Sequence, residues 1–229
     1  MRATQIIADP AWQYNARGLT RNGSRFGLGA SGRYLTEATE EMTNIPVASL
    51  AADRCQLYMW VTWPFLPDGL RLMDAWGFSY STCAFIWIKT NRGRWRWPIR
   101  KLAAKLLELN SIERFMSWLV FFGPGYYTAA NSEFVLLGTK GQPFKPVKKP
   151  SQVIVCPGWY GEEHSRKPDD VHEQIMQMYP LADGHVYVEL FARREYKHWH
   201  CLGNEIDGLD LRESIPLFVA TPPGKLKEV

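Results

Sequence analysis

Asp9-Pro10-Ala11-Trp12 is the stretch of this sequence whose residue types most directly suggest chemistry. It follows the apolar run 5–8, which predicts a buried parallel strand, and a proline at this point cannot extend a strand ladder. A carboxylate, a proline carbonyl and an indole are therefore expected at the carboxyl end of a central strand, where open α/β sheets bind ligands.

This trio suits methylation of an exocyclic amine. The Asp9 carboxylate and the Pro10 carbonyl would accept hydrogen bonds from the NH2 group and leave its lone pair free, while Trp12 would stack on the ring. A purely structural interpretation stays open, in which the strand ends in a turn, Asp9 caps that turn and Trp12 packs into the core.

The elements that must position this stretch alternate between strands and helices. Gly77 is expected to end the first predicted helix, which covers residues 65–76. The repeated order of strand, helix and strand predicts an α/β fold with a mostly parallel central sheet and helices on both faces. The further strands are predicted at 56–62, 81–88, 133–138, 152–155, 185–191 and 199–202, and the helices at 65–76, 100–121 and 169–179.

Composition favours one well-packed domain over residues 1–229. Hydrophobic residues make up 46% of the 229 and aromatic residues 14%, which argues against disorder. The sequence contains neither an apolar run of membrane-spanning length nor a signal segment, so we expect a soluble, cytoplasmic protein with no membrane partner. The four cysteines are widely separated, which predicts reduced, mostly buried thiols and no metal site.

Basic residues are concentrated in two stretches, although the net charge is only +4. Four arginines and no acid lie between Pro10 and Thr36, and all four arginines are in a Gly- and Arg-rich loop, 13–33. The segment from Lys89 to Lys105, counting both ends, contains seven basic residues and no acid. Such patches are typical of proteins that bind a polyanion.

The second basic stretch begins an insertion at about 92–121 in which cations alternate with indoles. Cations grip phosphates and indoles stack on bases, so this stretch is predicted to bind nucleic acid. In the alternative, it is a solvated loop that its tryptophans anchor to the domain. The apolar face of the 100–121 helix would lie in the core or against a partner, forming a homodimer or a heterodimer. The residues expected to contact the substrate here are Lys89, Asn91, Arg94, Trp95, Arg96 and Trp97.

Polar residues also stand at element ends in the second half of the chain. Lys167 precedes a predicted helix, whose free N–H groups would help an ammonium bind an anion. Asn204 and Glu205 follow the last predicted strand, where such side chains can hold the hydroxyls of a nucleoside. The Gly-x-Gly-x-x-Gly fingerprint of dinucleotide-binding folds does not occur.

The order of these motifs resembles the MT-A70-like adenine-N6 methyltransferases. The resemblance covers nearly the whole chain apart from the 13–33 loop, part of 94–119 and the tail after Asp210. The motifs that carry it are Asp9-Pro10-Ala11-Trp12, Trp60-Val61-Thr62, Trp87-Ile88-Lys89-Thr90-Asn91, Glu133-Phe134-Val135-Leu136-Leu137-Gly138, His164-Ser165-Arg166-Lys167-Pro168-Asp169, Glu189-Leu190-Phe191-Ala192-Arg193 and Leu202-Gly203-Asn204-Glu205.

The resemblance implies a Rossmann-like fold with permuted motif order that binds S-adenosylmethionine, and methyl transfer to adenine N6 with Asp9, Pro10 and Trp12 as catalytic residues. Lys167 would meet the methionyl carboxylate, and Tyr34 would lie near the target base. DNA is favoured over RNA as the substrate, as in phage or bacterial modification enzymes. The other implied cofactor contacts are Asp9, Glu189, Phe191, Arg193, Asn204 and Glu205.

Ala11 departs from the family pattern, which usually has a second proline at this position. Alanine keeps the carbonyl but not the fixed φ, so this loop is expected to be less pre-organised. Two other functions stay open: a catalytically inactive nucleic-acid-binding subunit that supports an active partner, and an enzyme acting on a small-molecule or protein amide.

Overall fold

The computed structural model describes residues 1–13, 37–123, 127–158 and 166–222. Tyr34 and all but the first residue of the 13–33 loop therefore lie outside the described residues, as do His164 and Ser165. The described strands are β1 (Ala3–Ala8), β2 (Ala51–Val61), β3 (Ser79–Thr90), β4 (Ser132–Lys140), β5 (Val153–Pro157), β6 (Tyr187–Leu190) and β7 (Trp199–Leu202). The described helices are α1 (Thr39–Met42), α2 (Val47–Leu50), α3 (Leu66–Ala75), α4 (Arg92–Trp95), α5 (Ile99–Leu109), α6 (Ile112–Leu119), α7 (Asp170–Met178) and α8 (Leu211–Ala220).

The strands are hydrogen-bonded in the order β5-β3-β4-β2-β1-β6-β7. β1 pairs in parallel with β2 and with β6, β6 with β7, and β3 with β5. β4 begins beside the end of β3, where the Lys89 N–H donates to the Asn131 carbonyl at 2.8 Å, so the sheet also contains an antiparallel pair. The α/β, Rossmann-like class predicted from the sequence is confirmed, with the first strand inside the sheet between β2 and β6.

The chain divides into two compact units, whereas the sequence led us to expect one domain over 1–229. Unit 1 comprises Met1–Cys83, Val135–Pro146 and Tyr179–Val229, and unit 2 comprises Ala84–Phe134 and Val147–Met178. The single-domain expectation stays a prediction.

Unit 1 is built on the buried strand β1, whose Ile6 and Ile7 are at most 1% exposed. A polar chain crosses its core: the Gln5 amide donates to Gln56 Oε1 at 3.1 Å, and the Gln56 amide donates to the Tyr179 hydroxyl at 2.9 Å. These bonds satisfy the two buried amide N–H groups and so lower the cost of placing glutamines inside a parallel sheet, although Gln5 Oε1 is buried without a hydrogen-bond partner among the described residues.

Unit 2 contains the pairing of β3 with β5 and the inserted helices α4, α5 and α6. Its core is formed by apolar residues of these elements and of α7, among them Phe85, Trp87, Ile154, Val171 and Ile175. The Trp87 indole N–H donates to the Cys156 carbonyl at 3.1 Å, which fixes β5 against β3.

The predicted single helix over 100–121 is wrong. Asn110 takes a left-handed conformation, with φ of 47°, and ends α5, and the Ser111 hydroxyl then caps α6 by accepting from the Arg114 N–H at 3.2 Å. Asparagine tolerates this conformation and serine is a preferred N-cap, so the pair breaks a helix that the apolar spacing alone would continue. Of the stripe predicted for that helix, Ile112 is 68% exposed and Met116 38%.

Helix α8 was not predicted. Asp210 caps it by accepting from the Arg212 N–H at 2.8 Å, and Pro216 lies inside it. A proline in a helix interior usually ends the helix, which hid α8 in the sequence.

All four cysteines are free thiols, but only Cys55 is buried and the other three are half-buried. Burial raises the pKa of the Cys55 thiol to about 12, so this thiol stays protonated at neutral pH. None of the helices in the described ranges has the length and hydropathy needed to cross a bilayer.

Candidate active site

Asp9 lies immediately beyond the carboxyl end of β1, as the sequence predicted. Ala8 pairs with Leu190 of β6, and Leu190 pairs with Leu202 of β7. Asp9, Phe191 and Gly203 therefore follow the last paired residues of three adjacent parallel strands, which are about 4.8 Å apart in such a sheet. The Asp9 side chain is half-buried at this edge of unit 1.

The chain makes a tight turn directly after Asp9. The Trp12 N–H donates to the Pro10 carbonyl at 2.8 Å, and the Ala11 carbonyl accepts from the Glu37 N–H at 3.0 Å. A carbonyl oxygen has two lone pairs, so the Pro10 carbonyl keeps one for a further donor. The turn thus fixes the backbone at Pro10 without using up its capacity to accept.

Trp12 is packed into unit 1 and is only 4% exposed. Its ring stacks on Phe65, with ring centres 5.2 Å apart and planes inclined by 19°, and its indole N–H donates to the Trp60 carbonyl at 3.3 Å. Trp12 therefore packs into the core, as the purely structural interpretation of this stretch expects. Contact with a base stays a prediction.

The predicted residues at the end of β6 occupy a constrained backbone. Phe191 has φ of 60°, and its ring stacks on Trp76 with centres 6.4 Å apart. Non-glycine residues in this region are uncommon and cost of order 1–3 kcal/mol, so the surrounding packing must hold Phe191 there. Glu189 and Arg193 are half-buried on either side of it.

Asn204 and Glu205 form an exposed turn after β7. The Gly203 carbonyl accepts from the Ile206 N–H at 2.8 Å, which closes the turn and leaves both side chains exposed. Gly203 itself packs tightly: a Cβ at this position would lie 2.6 Å from the backbone oxygen of Ala192. Only glycine lets the end of β7 approach the segment after β6 this closely.

Lys89 and Lys167, which belong to unit 2, share one buried carboxylate. Glu133, near the start of β4, accepts from Lys89 Nζ through Oε1, and Lys167 Nζ lies 3.5 Å from Oε2. Burial by itself would raise the pKa of the Glu133 carboxyl, but the ammonium groups of Lys167 and Lys89 more than compensate, and that pKa lies below its ordinary value. The carboxylate therefore stays charged between the two cations.

The basic and aromatic stretch 94–97 is divided between packing and exposure. The Trp97 ring lies 5.1 Å from that of Trp118 and 4.1 Å from Lys101 Nζ, and the Arg94 guanidinium lies 4.9 Å from the Trp118 ring. These contacts join α4, α5 and α6 into one body, and Asn91 caps α4. Trp95, 41% exposed, and Arg96 project into solvent.

The sequence analysis missed two residues that organise these groups. Glu133 is the single acid of β4 and directly precedes the apolar run 134–137, and that position is a signal which could have marked it. Phe65 gave no such signal, because its contact with Trp12 joins segments that are distant in sequence.

Comparison with known proteins identifies the family. The MT-A70 family profile matches residues 4–117 and 96–205, which include every predicted site residue. The chain is 30% identical over 216 residues to Type II methyltransferase M.MunI from Mycoplasma sp, covering 88% of this chain and 76% of that protein. With most of its length matched in both comparisons, this chain belongs to the MT-A70 family of methyltransferases.

Proposed function

We propose that this protein transfers a methyl group from S-adenosylmethionine to the N6 amino group of adenine in DNA. The observation that carries the proposal is the position of Asp9, half-buried directly after the central parallel strand in a chain of the MT-A70 family. The match to a relative named as a Type II methyltransferase supports DNA rather than RNA.

Each unit by itself offers side chains suited to one part of S-adenosylmethionine. Glu133 holds the ammonium groups of Lys89 and Lys167 together, and these two groups are the proposed contacts of the methionyl carboxylate. The exposed Asn204 and Glu205 offer the amide and carboxylate that ribose hydroxyls require. Glu189, Phe191 and Arg193 complete the proposed contacts on unit 1.

When bound, S-adenosylmethionine supplies the methyl group as a sulfonium, and the adenine N6 lone pair takes it directly. The new N–C bond forms as the S–C bond breaks, and the nitrogen, which gains positive charge, then loses a proton. Asp9 and the Pro10 carbonyl orient the amine by accepting from its two N–H groups. The Asp9 carboxylate offsets the developing charge and is the acceptor for the proton.

Nucleic acid would be held by the basic residues outside this centre. The proposed contacts are Asn91, Arg94, Trp95, Arg96 and Trp97, of which Trp95 and Arg96 are exposed. Lys89, which the sequence analysis placed among these contacts, pairs with Glu133 and is proposed to meet the methionyl carboxylate instead. Tyr34, which lies outside the described residues, keeps its proposed place near the target base. In duplex DNA the adenine must leave the stack, which costs a few kcal/mol.

Transfer of a labelled methyl group tests the proposal. The purified full chain is incubated with labelled S-adenosylmethionine and, separately, duplex DNA, single-stranded DNA or RNA, and the digested products are identified by mass spectrometry. We expect N6-methyladenine in DNA. Label on another base, or in RNA alone, would contradict the proposal, and binding of DNA without any transfer would favour the inactive-subunit alternative.

Cytoplasmic location and assembly as a homodimer or heterodimer stay predictions, which fractionation and sedimentation would test.

A further inference from the structure

The sequence motifs assigned no role to Glu133, yet it lies between Lys89 and Lys167, to which they assigned binding roles. Its side chain is 10% exposed, those of Lys89 and Lys167 are 21% and 12% exposed, and each carboxylate oxygen has its own lysine. Lys89 belongs to β3 and Glu133 to β4, so both stand on neighbouring backbone segments held by the bond from the Lys89 N–H to the Asn131 carbonyl, at 2.8 Å.

The Glu133 carboxylate limits the directions in which the two ammonium groups can point. Two ammonium ions held close together repel each other, and in poorly solvated surroundings that repulsion is strong. The carboxylate between them cancels the repulsion and fixes one donor of each lysine. Each ammonium has three N–H donors, so those not bound to Glu133 are held in a limited set of directions.

We propose that Glu133 is a positioning residue that holds Lys89 and Lys167 side by side to receive the carboxylate at the amino-acid end of the methyl donor. The inference rests on the proposed function for the identity of this ligand. Glu133 itself does not touch the reacting atoms; it acts through the two lysines.

The proposal predicts an effect opposite to that of charge alone. Glu133→Gln removes a negative charge near a site for an anion, and by electrostatics alone this would tighten binding. If Glu133 positions the lysines, the variant lets them separate and binding weakens. The direction of the change therefore distinguishes the two effects.

Calorimetry on the full chain with two nucleosides tests this. S-adenosylhomocysteine carries the amino-acid end, whereas methylthioadenosine lacks it. We expect Glu133→Gln to weaken S-adenosylhomocysteine binding by about tenfold or more, equivalent to at least ~1.4 kcal/mol, and to leave methylthioadenosine binding unchanged. Unchanged methylthioadenosine binding also shows that the variant is folded.

Two further variants separate positioning from direct contact. Glu133→Asp keeps the charge and should restore part of the affinity. Glu133→Gln combined with Lys167→Met should lose less affinity than the sum of the two single losses, because residues acting through one another are not additive. Glu108→Gln, which removes an exposed partner of Lys105 elsewhere in unit 2, is the matched control and should change neither affinity.

Wild-type or tighter binding of S-adenosylhomocysteine by Glu133→Gln, or additive losses in the double variant, would overturn the inference while leaving the proposed function intact. A wild-type protein that binds neither nucleoside would overturn both. If Glu133→Gln does not fold, the same comparisons are made with Glu133→Asp. We expect this variant to lose affinity for S-adenosylhomocysteine only. An equal loss of affinity for both nucleosides would contradict the inference.

Discussion

Gly203→Ala is expected to separate two strand ends that the proposed cofactor site requires close together. The added Cβ would lie 2.6 Å from the backbone oxygen of Ala192 and 2.8 Å from its backbone nitrogen, distances that Cβ atoms essentially never show. Neither atom can move without the chain, so the end of β7 must shift. That shift also strains the hydrogen bond from the Ala192 N–H to the Leu202 carbonyl, at 3.0 Å.

The size of the effect follows from these contacts. Overpacking costs about 1–3 kcal/mol and a weakened hydrogen bond about 1 kcal/mol, so the free energy of unfolding should fall by about 2–4 kcal/mol. For a chain of this length the melting temperature should fall by roughly 5–15 °C. Because Asn204 and Glu205 follow Gly203 directly, affinity for S-adenosylhomocysteine should fall as well.

Gly138→Ala is the matched control. Its Cβ would lie 2.7 Å from the Met73 sulfur and 3.0 Å from the Phe78 Cβ, but these are side-chain atoms, and the closest belongs to a flexible methionine rather than to the backbone. The variant should lose less stability than Gly203→Ala and keep its affinity for S-adenosylhomocysteine. Thermal unfolding and calorimetry measure both quantities, and equal losses in the two variants, or wild-type behaviour of Gly203→Ala, would refute the reasoning.

Three more substitutions test other parts of the structure. Ala11→Pro restores the second proline of the family pattern and should raise stability by about 0.4–1 kcal/mol without loss of turnover, because it restricts the unfolded chain; a lower melting temperature would show that the loop cannot accept a prolyl φ. Gln56→Leu should lower the free energy of unfolding, measured in urea, by about 1–3 kcal/mol because the buried Gln5 amide loses its acceptor. The double variant Gln5→Leu with Gln56→Leu should recover part of this stability. A double variant less stable than Gln56→Leu would contradict this account. Burial lowers the pKa of the His200 imidazole, so the unfolded chain takes up a proton more readily than the folded protein does. The stabilising contribution of neutral His200 is therefore complete above the unfolded pKa of about 6.5. This contribution is lost as the pH falls from there through the lower folded pKa. Stability of His200→Gln should therefore depend less on pH over this range, and parallel curves for variant and wild type would exclude the effect.

The elements that could be predicted from the sequence are those with strong local signals. β7 was predicted with its observed bounds, and α3 ends as expected before Gly77, whose φ of 81° favours glycine. β2 begins at Ala51, five residues before the predicted start, because its first residues include Asp53 and Arg54, which do not show the apolar pattern of a buried strand.

The contacts that organise the site could not be predicted, because they join residues distant in sequence. The Glu133 carboxylate meets Lys89 and Lys167 only once β3 and β4 lie together, and periodicity carries no information about such neighbours. Asp9 was found at the end of β1 because strand and motif are contiguous. The way in which Asp9 contacts a bound substrate is set by its carboxylate chemistry and is not indicated by the strand pattern.

Methyl transfer by Asp9→Ala tests the central claim most directly. The variant and the wild type are compared in the labelled-methyl assay on DNA, with S-adenosylhomocysteine affinity measured on the same preparations. If Asp9 orients the adenine amine, turnover should fall by about a hundredfold or more, whereas cofactor affinity, for which Asp9 is one of several implied contacts, should fall far less. Methylation by Asp9→Ala at the wild-type rate would contradict the account.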